Sequence, residues 1–177
     1  DAAVLNAPRY RPLHFGVTRA VMTEGQNGVY YLKAEQPLQP CARRLTDQLV
    51  HWAQTAPERT FLAQRVKNAD GSKGDWRHIS YAQALDSARR IGQALLARGL
   101  SAERPVVILS ENDIEHALLA LGCLYAGVPY SPSSPAYSTI SQDFGKLRHV
   151  LNTLTPGLVF ASRSEERRVG KECRSRW

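Results

Sequence analysis

The 177-residue sequence has few cysteines and no long apolar run, and each absence excludes a class of protein. Its three cysteines, Cys41, Cys123 and Cys173, lie far apart without a histidine pair nearby, so neither a disulfide framework nor a zinc site is predicted. The longest apolar run, residues 117–128, is too short to span a bilayer and is typical of a core helix. No stretch resembles a secretion signal, and we expect a cytoplasmic protein without a membrane partner.

The formal net charge of +7 is unevenly distributed along the chain. Residues 163–177 hold six basic and three acidic residues, which leaves 17 basic and 13 acidic residues in the rest of the chain. A balance of that size is ordinary for a globular domain, and the sequence carries no motif that reads nucleic acid. The composition therefore gives no reason to expect a nucleic-acid partner, and it leaves the oligomeric state open.

Catalytic signatures are also missing. The sequence has no G-x-S-x-G nucleophile elbow, no G-x-x-x-x-G-K-[ST] phosphate loop and no G-x-G-x-x-G loop after a strand. None of its five histidines has a helical partner at metal-binding spacing, and we interpret all of them as surface or core-rim residues: His14, His51, His78, His116 and His149. We therefore predict no catalytic, cofactor-binding or metal-binding residue within this chain.

Two turns could nevertheless line a ligand site. The first, Ser110–Asp113, lies between a predicted parallel strand and a helix, where phosphate often binds. Its carboxylates, Glu111 and Asp113, favour the helix dipole themselves and repel an anion, so we interpret this turn as a helix cap. The second, residues 130–135, offers serine hydroxyls beyond a strand end, but its prolines favour a rigid connector over a crevice wall.

The periodicity of apolar residues predicts a regular order of elements. A hairpin is predicted over residues 19–32, a helix from Leu45, and a second pair of strands at 60–66 and 76–79. The next helix carries a capping-box pattern, with Ser80 followed by Gln83, and Gly99 just past its end.

From Pro105 onward the pattern changes to alternating strands and helices. Continuous apolar residues at 106–109 predict a strand covered on both faces, and residues 114–126 form a helix that is apolar nearly all round. A further helix beginning at Ser138 or Ser141 precedes a strand at 158–160. The predicted fold class is α/β, a partial open parallel sheet with flanking helices, preceded by β-hairpins.

The last fifteen residues, Arg163–Trp177, break this pattern. They resemble the translation of a standard sequencing adapter, in which AGATCGGAAGAGCG reads Arg-Ser-Glu-Glu-Arg. We interpret them as an artefactual tail that must be set aside before fold reasoning, the alternative being a natural basic tail. The predicted organisation is then an N-terminal extension with a hairpin (1–40), a truncated domain (41–162) and the tail (163–177).

Residues 80–160 carry a family resemblance. The order I-S-Y-A-Q-A-L, then R-P-V-V-I-L-S-E-N-D-I-E-H, then L-Y-A-G-V-P-Y-S-P-S-S-P, then P-G-L-V-F resembles the N-terminal part of acid–CoA ligases in the adenylate-forming, or AMP-binding, superfamily. The string S-P-A-Y-S-T-I-S-Q-D-F-G-K-L-R-H is most similar to the feruloyl-CoA synthetase branch. The resemblance covers most of residues 38–161.

This resemblance implies a two-step reaction. ATP and a carboxylic acid give an acyl-adenylate and pyrophosphate with Mg²⁺, and CoA then forms the thioester; ferulate or another hydroxycinnamate is the implied acid. The family's Ser/Thr/Gly-rich loop, its catalytic lysine and its metal ligand are expected beyond Ser162, so the fragment is predicted to be inactive and to bind none of ATP, Mg²⁺ or CoA. The alternative is a stand-alone α/β interaction module with a basic tail.

Overall fold

The computed structural model describes residues 19–68, 70–141 and 143–162, and the chain divides into two compact units, Asp1–Cys41 and Ala42–Trp177. The tail predicted to be a translated adapter lies outside the described residues, as do residues 1–18 of the predicted N-terminal extension.

The described part of the first unit is an antiparallel hairpin. Strand β1 (Ala20–Glu24) pairs with β2 (Tyr30–Ala34), and a 3₁₀ turn over Gln26–Gly28 joins them. Asn27 and Gly28 adopt φ values of 60° and 74°, a region in which asparagine and glycine are tolerated. The predicted hairpin is confirmed.

The second unit begins with a helix and another hairpin. Helix α1 (Thr46–Thr55) buries Leu49, and Pro57 follows its end. Strands β3 (Thr60–Lys67) and β4 (Lys73–Ser80) then pair in antiparallel register.

Helix α2 (Tyr81–Ala97) follows β4 directly. The Ser80 hydroxyl accepts the Gln83 N–H while the Gln83 side chain accepts the Ser80 N–H, so the predicted capping box is present. Gly99 has a φ of 68°, as its predicted place beyond the helix end requires.

A parallel sheet lies at the centre of the second unit. It has the order β6–β5–β7, with β5 (Val106–Ile108) between β6 (Tyr130–Pro132) and β7 (Leu158–Phe160). All three residues of β5 are fully buried, which explains its uninterrupted apolar sequence. The α/β class with a partial parallel sheet, preceded by hairpins, is confirmed.

Helix α3 (Ile114–Ala126) connects β5 to β6. Its N-cap is Asp113, and Gly127 ends it with a φ of 73°. Because it packs on both the sheet and α2, its sequence is apolar on more than one side, as predicted.

Two helices lie between β6 and β7: the short α4 (Ala136–Thr139) and α5 (Gly145–Leu154). The prediction that Ser138 or Ser141 begins the longer helix is wrong, because the chain turns through Phe144 at a φ of 52° before α5 begins. Ser141 instead donates to the Asp143 carboxylate, which also accepts the Gly145 N–H.

Candidate functional site

The candidate site lies at the carboxyl ends of the parallel strands, where open α/β sheets bind ligands. Three open clefts of about 300, 360 and 530 Å³ meet there, and Asn112 lines all of them. Their walls are the turn after β5, the N-terminal part of α3, the segment after β6 and Gln64 of β3. Both turns singled out from the sequence therefore line this region.

The amides at the start of α3 are already bonded to side chains. The Asp113 carboxylate accepts the His116 N–H at 2.7 Å, and the Gln64 side-chain oxygen accepts the Ile114 N–H at 3.1 Å. A helix N-terminus binds an anion through backbone amides that have no other partner, and these two amides already have one. The Ser110–Asp113 turn is thus a cap, as the sequence indicated.

The charge around this helix start is negative. Glu111, Asp113 and Glu115 all lie within the clefts' walls. Glu115 is paired with Arg77 of β4, so one of the carboxylates is neutralised. Carboxylates therefore already interact with the positive end of the helix dipole.

A serine–histidine pair lies in the largest cleft but is not set up for nucleophilic catalysis. The Ser110 hydroxyl is 3.4 Å from His116 Nδ1, and the Glu111 carbonyl oxygen is 3.2 Å from the same nitrogen. A carbonyl oxygen only accepts, so the Glu111 contact requires Nδ1 to donate, and in that arrangement Nδ1 is not a base toward Ser110. Ser110 is also only 3% exposed.

Two serine hydroxyls at this edge are buried without a hydrogen-bond partner among the described residues. Ser133 follows β6 and Ser162 follows β7, and each lines one of the clefts. Buried hydroxyls in folded proteins are nearly always paired. The segment after β6 is accordingly more than a rigid connector, because it contributes a polar wall to the crevice.

Sequence reasoning missed Gln64 as a member of this region. It lies 50 residues before Ile114 in the chain, and only the pairing of β3 with β4 brings it to the start of α3. No local motif signals such a contact. Within the described ranges there is no group of His, Cys, Asp or Glu that could hold a metal ion, and no helix there is long and apolar enough to cross a membrane.

Comparison with known proteins identifies the relatives of this chain. It is 28% identical over 86 residues to luciferin 4-monooxygenase of Photinus pyralis. That match covers 49% of this chain and 15% of the relative. It is also 29% identical over 104 residues to long chain acyl-CoA synthetase 2 of Arabidopsis thaliana. This second match covers 59% of this chain and 15% of the relative. The chain thus spans about 15% of the length of these curated relatives.

Solved structures share the fold. The crystal structure of a fatty acyl-adenylate ligase from Legionella pneumophila, in complex with acyl adenylate and pyrophosphate, superposes with a TM-score of 0.57 at 22% identity. The match covers 68% of this chain and 20% of the ligase chain. The family model described as "AMP-binding enzyme" matches residues 49–176, which is most of the chain and includes all of the tail except Trp177. The chain therefore belongs to the AMP-binding enzyme family.

Proposed function

We propose that this chain is the N-terminal part of a longer acid–CoA ligase that activates a carboxylic acid with ATP and transfers it to CoA. The single observation that carries the proposal is the family match over residues 49–176. Further support comes from its relatives, which include a long chain acyl-CoA synthetase and a fatty acyl-adenylate ligase solved in complex with acyl adenylate and pyrophosphate.

We further propose that the chain by itself does not catalyse this reaction. The sequence contains no Ser/Thr/Gly-rich loop with a lysine, and the amides at the start of α3 are bonded to Asp113 and Gln64. Carboxylates surround this helix start, so the described residues offer ATP and its Mg²⁺ no cradle. The rest of the ligase supplies those groups. We propose that residues 163–177 are a translated adapter because they resemble its translation; the family match extends over residues 163–176 and gives this proposal no support.

The acid we propose is a hydroxycinnamate such as ferulate. The support is the string S-P-A-Y-S-T-I-S-Q-D-F-G-K-L-R-H, residues 134–149, which resembles the feruloyl-CoA synthetase branch. Because ATP and CoA are the proposed co-substrates, we place the parent enzyme in the cytoplasm.

The first experiment re-reads the source DNA across codon 162. We expect the reading frame to continue into a Ser/Thr/Gly-rich loop with a lysine. A genomic frame that encodes Arg163–Trp177 followed by a stop codon would overturn the truncation.

The second experiment measures ATP–pyrophosphate exchange with ferulate. The purified 177-residue chain is expected to show no exchange above a protein-free blank, and the longer protein encoded by the repaired frame is expected to exchange. Exchange by the 177-residue chain overturns the proposed inactivity. A longer protein that prefers a saturated fatty acid to ferulate refutes the hydroxycinnamate while leaving the ligase assignment intact.

A further inference from the structure

One face of the β3–β4 hairpin is basic and exposed. Cross-strand partners in an antiparallel pair point to the same side, and successive residues alternate between sides. Along β3, alternation puts Ala63, Arg65 and Lys67 on one side; the register shifts between Arg65 and Lys67, and Lys73 is placed there as the partner of Lys67. These residues with their partners form what we call the basic face: Ala63–His78, Arg65–Trp76 and Lys67–Lys73. All six residues are exposed, and Trp76 is 52% exposed.

The opposite face of the hairpin is anchored. Gln64 and Arg77 are cross-strand partners, and both contact the start of α3: Gln64 accepts the Ile114 N–H and Arg77 pairs with Glu115. Leu62 and Ile79, partners on the same side, are half-buried. The basic face therefore belongs to a hairpin whose opposite face is fixed to the start of α3.

The chemistry of the basic face is that of a protein-binding surface. The Arg65 guanidinium lies 4.8 Å from the centre of the Trp76 ring and donates to the Gly74 carbonyl oxygen at 2.9 Å, so two contacts hold it in place. Tryptophan and arginine are the residue types that most often carry binding energy in protein interfaces. Strands β3 and β4 hold four Lys or Arg residues against one carboxylate, Asp75.

We propose that the basic face binds an acidic segment of a protein partner. Carboxylates of the partner pair with Lys67, Lys73 and Arg65, and an apolar side chain of the partner packs against the part of Trp76 that Arg65 leaves exposed. We choose an acidic partner because the lysines and the arginine of the basic face attract carboxylates, and a protein partner because Trp76 lies between them as an aromatic contact residue.

A single-stranded nucleic acid fits this surface less well. Such ligands bind by stacking bases on free aromatic faces. The Arg65 guanidinium already covers the Trp76 ring, and the His78 ring lies 6.5 Å away. The basic face thus offers cations without an open stacking platform.

The test uses the full 177-residue chain and a fluorescein-labelled peptide of twelve residues, glutamates with two central leucines. Binding is read by fluorescence anisotropy at physiological salt. The double variant Lys67→Glu/Lys73→Glu is expected to weaken binding about tenfold or more, and Trp76→Ala about threefold to tenfold. Thermal melts of both variants are expected to match the parent, since all three side chains are exposed.

The matched control is Lys146→Glu/Arg148→Glu on α5, which changes the net charge equally at another exposed site. It is expected to change the affinity less than about twofold. Because every variant retains the basic tail, differences between variants isolate the hairpin. The proposal is overturned if the control weakens binding as much, if a glutamine version of the peptide binds equally, if no peptide binds, or if a twelve-nucleotide oligo-dT binds more tightly with the same dependence on Trp76.

Discussion

The two faces of the parallel sheet are covered in different ways. Val106 and Ile108 of β5 point to the side of α2 and α3, where they pack with a large cluster that includes Leu95, Leu119 and Cys123. Val107 and Leu109 point to the other side, where α5 covers them chiefly with Leu147 and Leu151. One strand thus holds together a double layer of helices on one face and a single helix on the other.

The helix ends show the same contrast. Helices α2 and α3 begin at side-chain caps, Ser80 and Asp113, and each is followed by a glycine with a φ near 70°, Gly99 and Gly127. These are the residue types that helix ends favour. On this face of the sheet, local sequence and tertiary packing favour the same structure.

Helix α5 has neither feature. Phe144 precedes it at a φ of 52° without a side-chain cap, and Thr155 ends it at a φ of 42°. Bulky or β-branched residues with a positive φ of this size have a strained backbone. Local preference and tertiary packing therefore conflict at both ends of α5, and its packing on the sheet has to offset the strain.

The largest expected effect comes from removing the main anchor of α5. Leu147→Ala deletes a fully buried side chain and is expected to lower the free energy of unfolding by about 2–5 kcal/mol. Since Leu147 and Leu151 are the buried residues of α5, we expect its amides to lose hydrogen-exchange protection first while α2 and α3 keep theirs.

Two controls separate this local effect from a general one. Leu119→Ala, on the other face, is expected to destabilise the whole second unit without selective loss in α5. Val150→Ala, which is only half-buried, is expected to cost less than Leu147→Ala. Equal loss of protection in α2, α3 and α5 of the Leu147 variant would refute the independence of the two faces.

The next effect concerns the close contact between α2 and α3. A Cβ at Gly122 would lie 2.7 Å from the Ile91 Cβ and would also overlap the Ile91 Cγ2, so Gly122→Ala requires the helices to separate. Overpacking costs about 1–3 kcal/mol and alanine recovers about 1 kcal/mol in helix propensity, so we expect a net loss of roughly 1 kcal/mol in urea unfolding.

Ile91→Ala should partly relieve the Gly122→Ala variant, and a double-mutant cycle would show a coupling energy between the two positions. Leu124→Ala, at a partly exposed α3 position away from this contact, serves as the control. Additive effects of the Ile91 and Gly122 changes would show that the helices do not meet there.

Correcting the end of α5 should stabilise the protein. Thr155 is exposed and holds a φ of 42°, so Thr155→Gly removes strain and should raise the free energy of unfolding by about 0.5–1 kcal/mol. A glycine placed inside the helix, Asn152→Gly, is expected to cost roughly 0.3–0.5 kcal/mol, the difference in helix propensity between the two residues. A lower melting temperature for Thr155→Gly would mean that the left-handed turn is not strained.

The same contrast determines how much the sequence alone could predict. The bounds of α2 and α3 follow from Ser80, Gln83, Asp113, Gly99 and Gly127, because the cap residues coincide with the apolar period. The start of α5 was predicted at Ser138 or Ser141, since serine is a common cap and Phe144 is not. Tertiary packing overrides the local signal there.

The candidate site was predictable only in part. The turn after β5 and its role as a cap followed from the order of strand, acidic residues and helix. The contribution of Gln64 did not, because it depends on a contact between segments 50 residues apart. Nor was the contribution of Ser133 predictable, because a serine in a proline-rich segment does not signal burial. Its hydroxyl is buried without a hydrogen-bond partner among the described residues.

The last prediction concerns thiol reactivity, and its subject is the buried cysteine of α3. Burial raises the pKa of the Cys123 thiol from 9.0 to about 11, whereas Cys41 is exposed. At pH 8 the folded protein therefore holds about 100-fold less Cys123 thiolate than an unburied thiol would. Labelling with an aromatic disulfide reagent should be unchanged in rate and early amplitude by Cys123→Ala, and Cys41→Ser should remove one rapidly reacting thiol.

The raised pKa of Cys123 also determines how the free energy of unfolding changes at alkaline pH. The folded state favours the neutral thiol, so its contribution to stability is present below pH 9 and is lost as the pH rises toward about 11. Urea at pH 8 should expose Cys123 and add one reactive thiol in the parent and in Cys41→Ser, but none in Cys123→Ala. Rapid labelling of Cys123 in the folded protein would show that α3 leaves the sheet readily, and would remove the difference between the two faces.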